Sequence, residues 1–221
     1  MADTPDATDN TDPAGILVRP AARADADAVA RTLARAFADD PPMAWVLPDP
    51  VARPRRLHRF FLTLQRRQVL RGGGALVACR GERIIGAALW LPPGTWSQSP
   101  VRQLIALPGY ARAFGRRLDQ GAVISQASYE AHPREPHWYL YTLGVHPDHQ
   151  RTGAGTALLR TRLDECDRAG LPAYLESSKP GNVPYYERFG FQADRPLKLP
   201  AGAPAITPMW RPARPVPPLF R

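Results

Sequence analysis

Gln150-Arg151-Thr152-Gly153-Ala154-Gly155-Thr156 is the stretch that decides the reading of this 221-residue chain. Before it, Trp138 to Val145 is dense in aromatic and aliphatic residues and reads as a strand. After it, Ala157 to Ala169 reads as a helix. Leu159, Leu163 and Cys166 recur there at i, i+4 and i+7, while Arg160, Arg162, Asp164 and Asp167 fall off that stripe. A strand that feeds a glycine-relaxed turn at a helix start suits phosphate. The first N–H groups of a helix have no intrahelical partner, carry partial positive charge and point outward together. Gly153 and Gly155 omit side chains that would hold a pyrophosphate off the backbone, and Arg151 adds positive charge at the mouth. The Walker pattern is excluded because no Gly-Lys-Ser/Thr tripeptide follows. The dinucleotide pattern fails because Leu158 stands where its third small residue belongs.

The downstream sequence continues the alternation. Pro172-Ala173-Tyr174-Leu175-Glu176-Ser177-Ser178 predicts a short buried strand. Asn182-Val183-Pro184-Tyr185-Tyr186-Glu187-Arg188-Phe189-Gly190-Phe191 predicts a short helix, with Asn182 as N-cap, Pro184 in the first turn and Gly190 closing it. The Gln150–Thr156 turn and this Asn182–Phe191 segment, in this order, resemble the two signatures of the GNAT superfamily of N-acetyltransferases. Glu135 to Leu140, Gly144 to Gln150, Leu175 to Ser178 and Arg31 to Asp39 add a closer likeness to the puromycin-acetylating branch of that superfamily. The resemblance runs with gaps over residues 16 to 212 and is poorest from 92 to 130.

The resemblance implies an α/β fold with a central mixed, mostly antiparallel twisted sheet flanked by helices, its strands splayed at an acetyl-CoA site. It implies acetyl-CoA as donor, with the pyrophosphate on Gln150, Arg151, Thr152, Gly153, Ala154, Gly155 and Thr156. Pantetheine would lie like an extra strand beside Trp138–Val145, meeting backbone N–H groups at Leu143 and Val145, and Gly144 suits a bulge that frees those donors. Tyr186 would be the general acid toward the departing sulfur and Glu176 a base, directly or through water. The residue-level alternatives are that Tyr186 is a core aromatic and that Glu176 pairs with an arginine. Asn182 would cap its helix, touch the cofactor, or both. Phe37, Asp40, Trp45, Trp90 and Tyr141 would wall the acceptor, with aromatic surface and one anion suited to an aromatic or aminoacyl amine.

Composition bounds the rest. The formal charge is +9, although Asp3, Asp6, Asp9 and Asp12 make the start acidic. A basic body attracts anions such as coenzyme A. It also admits a nucleic-acid-binding module, but the arginines are scattered and no recognition motif appears. The start has no basic or apolar leader and no apolar run reaches membrane-spanning length, so a cytoplasmic protein without membrane contact is expected. Cys79 and Cys166 fall in apolar elements and are expected to be reduced core thiols. His137, His146 and His149 show no metal-ligand pattern and are expected to face solvent; no metal is called for.

The expected organisation is an acidic, unstructured tail over 1–14, one domain over 15–211 and a Pro/Arg-rich tail over 212–221. Within the domain, Ile16–Arg19 predicts a strand, Ala24–Phe37 a helix and Met43–Leu47 a helical turn. Pro54–Arg71 predicts an amphipathic helix with Leu57, Phe60, Phe61 and Leu64 inward. Ala75–Arg80 and Ile84–Leu91 predict a hairpin, and 99–106 and 109–130 two helices. Strands are expected near 191–193 and 205–210. The acceptor is open between a small-molecule amine, the preferred reading, and a protein lysine or N-terminus; a sensor that binds acetyl-CoA without catalysis is a further alternative. The chain would act as a monomer or homodimer. The 93–131 insertion would cover a small-molecule pocket.

Overall fold

The structure, a computed structural model, describes residues 11–12, 15–66, 74–97 and 100–214. In chain order its elements are β1 (Thr11–Asp12), β2 (Ile16–Pro20), α1 (Ala26–Ala36), α2 (Pro41–Val46), α3 (Arg53–Leu64), β3 (Ala75–Arg80), β4 (Arg83–Leu91), α4 (Pro100–Phe114), α5 (Leu118–Ala131), β5 (Trp138–Val145), α6 (Ala154–Ala169), β6 (Ala173–Ser177), α7 (Val183–Glu187), β7 (Gln192–Ala193) and β8 (Thr207–Arg211). The strands form one sheet in the order β1-β2-β3-β4-β5-β6-β8-β7. Among the described strands only β5 and β6 run parallel, joined by the α6 crossover. The expected mixed, mostly antiparallel α/β sheet is therefore present.

Two apolar layers hold it. On one face α1 and α3 bury Val29, Leu33, Leu57, Phe60, Phe61 and Leu64 against Val77 and Leu89. On the other, Leu158, Leu159, Leu163 and Cys166 of α6 pack on Leu76, Trp90 and Leu140. The Leu159–Leu163–Cys166 stripe is thus core, as its period requires. Arg162, off that stripe, is nevertheless buried, with its guanidinium 4.1 Å from the Trp138 ring centroid and paired to Glu165. Cys79 and Cys166 are buried free thiols.

Other expectations need correction. Thr11–Asp12 pairs with Ile16–Leu17, so the N-terminal tail is not wholly without structure; residues 1–10 lie outside the described ones, as do 67–73 and 215–221. The insertion's helices divide at Gly115, which has φ +58°, and not near residue 107. Pro108 lies inside α4. Aromatic packing of Phe60 on Tyr110 and Phe114, with ring centroids 5.9 and 5.2 Å apart, holds α4 on α3 across it. Among the described residues, no helix is long and apolar enough to cross a membrane.

Candidate active site

The site begins where β5 and β6 part. Their parallel pairing ends at Leu140 opposite Leu175, while β5 runs on to Val145. The His146 N–H bonds to the Ile85 carbonyl at 2.8 Å, so Val145 opposite Gly86 is a non-hydrogen-bonded position of the antiparallel ladder. Its N–H and C=O therefore face away from β4, into the gap. By the same alternation the Leu143 N–H faces the gap too. The Gln150 side chain reaches the Val145 carbonyl from that side, at 3.4 Å.

The bulge that sets this phase is not at Gly144. Leu89 pairs with Thr142 and Trp90 with Leu140, which leaves Tyr141 as the extra residue. Gly144 answers a different demand: a Cβ there would stand 2.8 Å from Leu33 Cδ2 and 2.9 Å from Ala36 Cβ, so its absence lets α1 lie against β5.

The phosphate-loop candidate forms the start of α6, which opens at Ala154, three residues earlier than its periodicity suggests. The first intrahelical bond runs from the Ala157 N–H to the Gly153 carbonyl at 2.9 Å, leaving the N–H groups of Ala154, Gly155 and Thr156 without helical partners. Gly153 caps the helix at φ +94°, and Arg151 also adopts a left-handed conformation, at φ +61°. The Thr152 hydroxyl closes the turn on the His149 carbonyl at 2.7 Å. Gly155 meets a further demand: a Cβ there would lie 3.2 Å from the Tyr185 hydroxyl, so the glycine makes room for the chain's own α7. Tyr185 also hydrogen-bonds the Thr156 side chain.

Asn182 stands at the N-cap of α7, but its side chain is exposed and makes no capping bond. The 3-10 turn Pro180–Asn182 runs straight into α7, and its Pro180 carbonyl already takes the Val183 N–H. Tyr186 points into the α6-side core, 9 % exposed. Burial, then the neighbouring Tyr185 and Asp40, raise its phenol above the ordinary range, so it is held protonated.

Glu176 faces the opposite side of the gap. Its carboxylate accepts from Ser128 Oγ at 2.9 Å, Tyr139 OH at 3.1 Å and Tyr174 OH at 3.1 Å. No arginine pairs with it among the described residues, which removes the ion-pair reading. Burial pushes its pKa above the usual glutamate range, and the three hydroxyls partly oppose that. Tyr141, beside Tyr139 with ring centroids 5.5 Å apart, is pushed up to about 12 by burial and by the Glu176 charge.

Phe37, Trp45 and Tyr141, three of the residues expected in an acceptor wall, pack partly buried on this same face. Trp90 does not join them. It is fully buried in the α6-side layer and is a core residue. Asp40 is 2 % exposed and N-caps α2 through the Met43 N–H at 3.2 Å; its other oxygen accepts from the Ser178 hydroxyl. Burial raises its pKa.

His137 is buried rather than solvent-facing. Its Nε2 lies 3.0 Å from that of His132 and its Nδ1 2.6 Å from the Glu135 carbonyl. Burial, then His137, pushes His132 down to about 3. Among the described residues, no group of three or more His, Cys, Asp and Glu side chains is arranged to hold a metal ion.

Sequence reasoning passed over Tyr185, Ser128, Ser178 and Arg188. Arg188 lies over the Tyr185 ring at 5.2 Å and, with Thr156, Arg160 and Arg214, lines a cavity of about 390 Å³ beside α6. Their signal is geometric, since no spacing links 128 to 176 or 40 to 178.

Comparison with known proteins bears on the fold and the family. The model of the acetyltransferase (GNAT) family fits residues 36–191. A segment of 67 residues is 42% identical to an uncharacterized N-acetyltransferase of Schizosaccharomyces pombe, covering 30% of this chain and 27% of that protein, so the chain matches about a quarter of that relative's length. A Corynebacterium glutamicum structure described as histone acetyltransferase HPA2 and related acetyltransferase superposes with a TM-score of 0.71 at 27% identity, over 93% of this chain and 99% of that one. A Drosophila melanogaster polyamine N-acetyltransferase shares the fold with a TM-score of 0.55 at 16% identity, over 89% and 99% of the two chains. With the family model spanning most of the chain, the protein belongs to the GNAT family of acetyltransferases.

Proposed function

We propose that this acetyltransferase moves an acetyl group from acetyl-CoA to a primary amine of a small molecule, by direct transfer with both substrates bound. The observation that carries the reading is the division of polar groups across the β5–β6 gap. Tyr186 lies on the α6 face and Glu176 on the α1–α3 face. Bound there, acetyl-CoA would supply an activated thioester. The N–H groups of Leu143 and Val145 would hold pantetheine and the carbonyl oxygen. Two such donors aimed at developing negative charge are worth ~2–4 kcal/mol each. The amine would enter from the Glu176 side and attack the carbonyl carbon with its lone pair while its N–H proton passes to that carboxylate. Tyr186 would give its proton to the sulfur as the carbon–sulfur bond breaks.

The amides of Ala154, Gly155 and Thr156 would take the pyrophosphate, with Gln150, Arg151 and Thr152 shaping the loop that presents them. Arg160 and Arg188 form no ion pair among the described residues and line the adjoining cavity, where the adenosine phosphate would lie. Asn182, exposed at the start of α7, would touch the donor rather than cap the helix.

The α5 insertion bonds to Glu176 and so covers the acceptor face, which supports a small acceptor over a peptide. The aromatic walls Phe37, Trp45 and Tyr141 suit an aminoacyl-nucleoside or other aromatic amine antibiotic, with Asp40 as one anion beside them. The Corynebacterium relative, described as a histone acetyltransferase, favours protein lysine as the second reading. Rates of coenzyme A release with puromycin, tyramine, agmatine and a lysine-containing peptide decide between them. A kcat/KM highest for one of the small amines supports the reading; a peptide preferred by tenfold or more replaces it.

A further inference from the structure

Glu176 is held by hydroxyls from three separate elements. Ser128 of α5 and Tyr139 of β5 both meet Oε2, at 2.9 and 3.1 Å, and Tyr174 of β6 meets Oε1 at 3.1 Å. An ionised carboxylate only accepts, with about two acceptor positions on each oxygen. Ser128 and Tyr139 therefore fill Oε2, and Tyr174 leaves one position open on Oε1. Tyr139 and Tyr174 are 8 % and 2 % exposed and belong to the sheet's own core. Ser128 alone comes from the α4–α5 insertion. The same end of α5 is fixed a turn later, where His132 stacks on Trp96 with ring centroids 3.9 Å apart and pairs with His137.

We propose that Ser128 is a positioning residue: it turns the Glu176 carboxylate so that Oε1 is the atom that takes the amine's proton, and it makes docking of α5 a condition of that geometry. The inference rests on the reading of Glu176 as the base. In the step itself, the nitrogen lone pair forms the bond to the carbonyl carbon and the N–H proton passes to Oε1, giving the neutral acid. Both tyrosines are raised above the ordinary phenol range by burial and by Glu176, so they remain donors throughout. Without the Ser128 donor a position opens on Oε2 beside Tyr139, Oε1 is no longer the one oxygen with room for the proton, and the charged form loses a partner.

The test needs no acceptor. The protein is labelled with 13C at glutamate side-chain carboxyls, Glu176 is assigned with Glu176→Gln, and its resonance is followed against pH. In Ser128→Ala the midpoint is expected to move upward by about one pH unit, because a hydrogen bond to the charged form is lost. Ser128→Thr, which keeps the hydroxyl, is expected to stay within a few tenths of wild type. A midpoint in Ser128→Ala equal to wild type overturns the inference. Failure of the underlying base reading looks different: Glu176→Gln would release coenzyme A at the wild-type rate with puromycin as acceptor.

Discussion

The hydroxyl of Ser178, one residue beyond β6, donates to the carboxylate of Asp40, the residue that opens α2. The bond ties the end of the splayed strand to the loop proposed to wall the acceptor side. Burial, the largest influence on Asp40, disfavours its charge; Ser178, the Met43 N–H and Lys179 restore it in that order. Ser178→Ala is expected to lower kcat/KM for the amine about tenfold, the worth of one hydrogen bond to a charged group. The KM for acetyl-CoA should not change. Steady-state kinetics varying each substrate in turn makes the check, and an equal loss for both substrates would place Ser178 in the fold rather than the acceptor wall.

Gly144→Ala is expected to destabilise the protein by about 1–3 kcal/mol through overpacking. Its Cβ would press on Leu33 and Ala36 of α1, of which Leu33 is locked in the core. Thermal melting compared with wild type reads the effect. An unchanged melting temperature would mean that α1 can withdraw from β5 at no cost.

Tyr186→Phe removes the proposed acid without changing the packing of the ring against Tyr185 and Phe191. Turnover should fall about a hundredfold, within the usual range for acid–base catalysis. Acetyl-CoA affinity, measured by calorimetry, should stay near wild type. Wild-type turnover in this variant would assign Tyr186 to the core alone.

Much of this was legible in the sequence, for reasons that differ by residue. Strand and helix periods located β5, α6 and the β3–β4 hairpin, because burial on one face writes itself into spacing. Gly153 was legible because the turn demands a positive φ. Trp90 was misread: nothing in a fully buried strand marks which face an aromatic takes, and the bulges in β4 and β5 shift the alternation. His137 looked solvent-facing because its partner, His132, lies across a turn whose shape spacing does not encode. The insertion was hardest, since α4 is apolar nearly all round and its Pro108 mimics a break.

The pH profile follows from Glu176. Its carboxyl is raised above the ordinary glutamate range by burial, and only the ionised form can take the amine's proton. The acid limb of kcat/KM is therefore expected at higher pH than an exposed glutamate would give, with activity lost as pH falls through it. Glu176→Gln should lose that limb together with most of the activity. A limb that persists unchanged in the glutamine variant would belong to another group.

The most direct measurement is mass spectrometry of puromycin after incubation with the protein and acetyl-CoA. The account predicts a gain of one acetyl group that requires the protein and falls to a small fraction with Gly153→Val, in which the strained turn distorts the amides at the start of α6. No acetyl gain on puromycin, together with none on tyramine or agmatine, would contradict it.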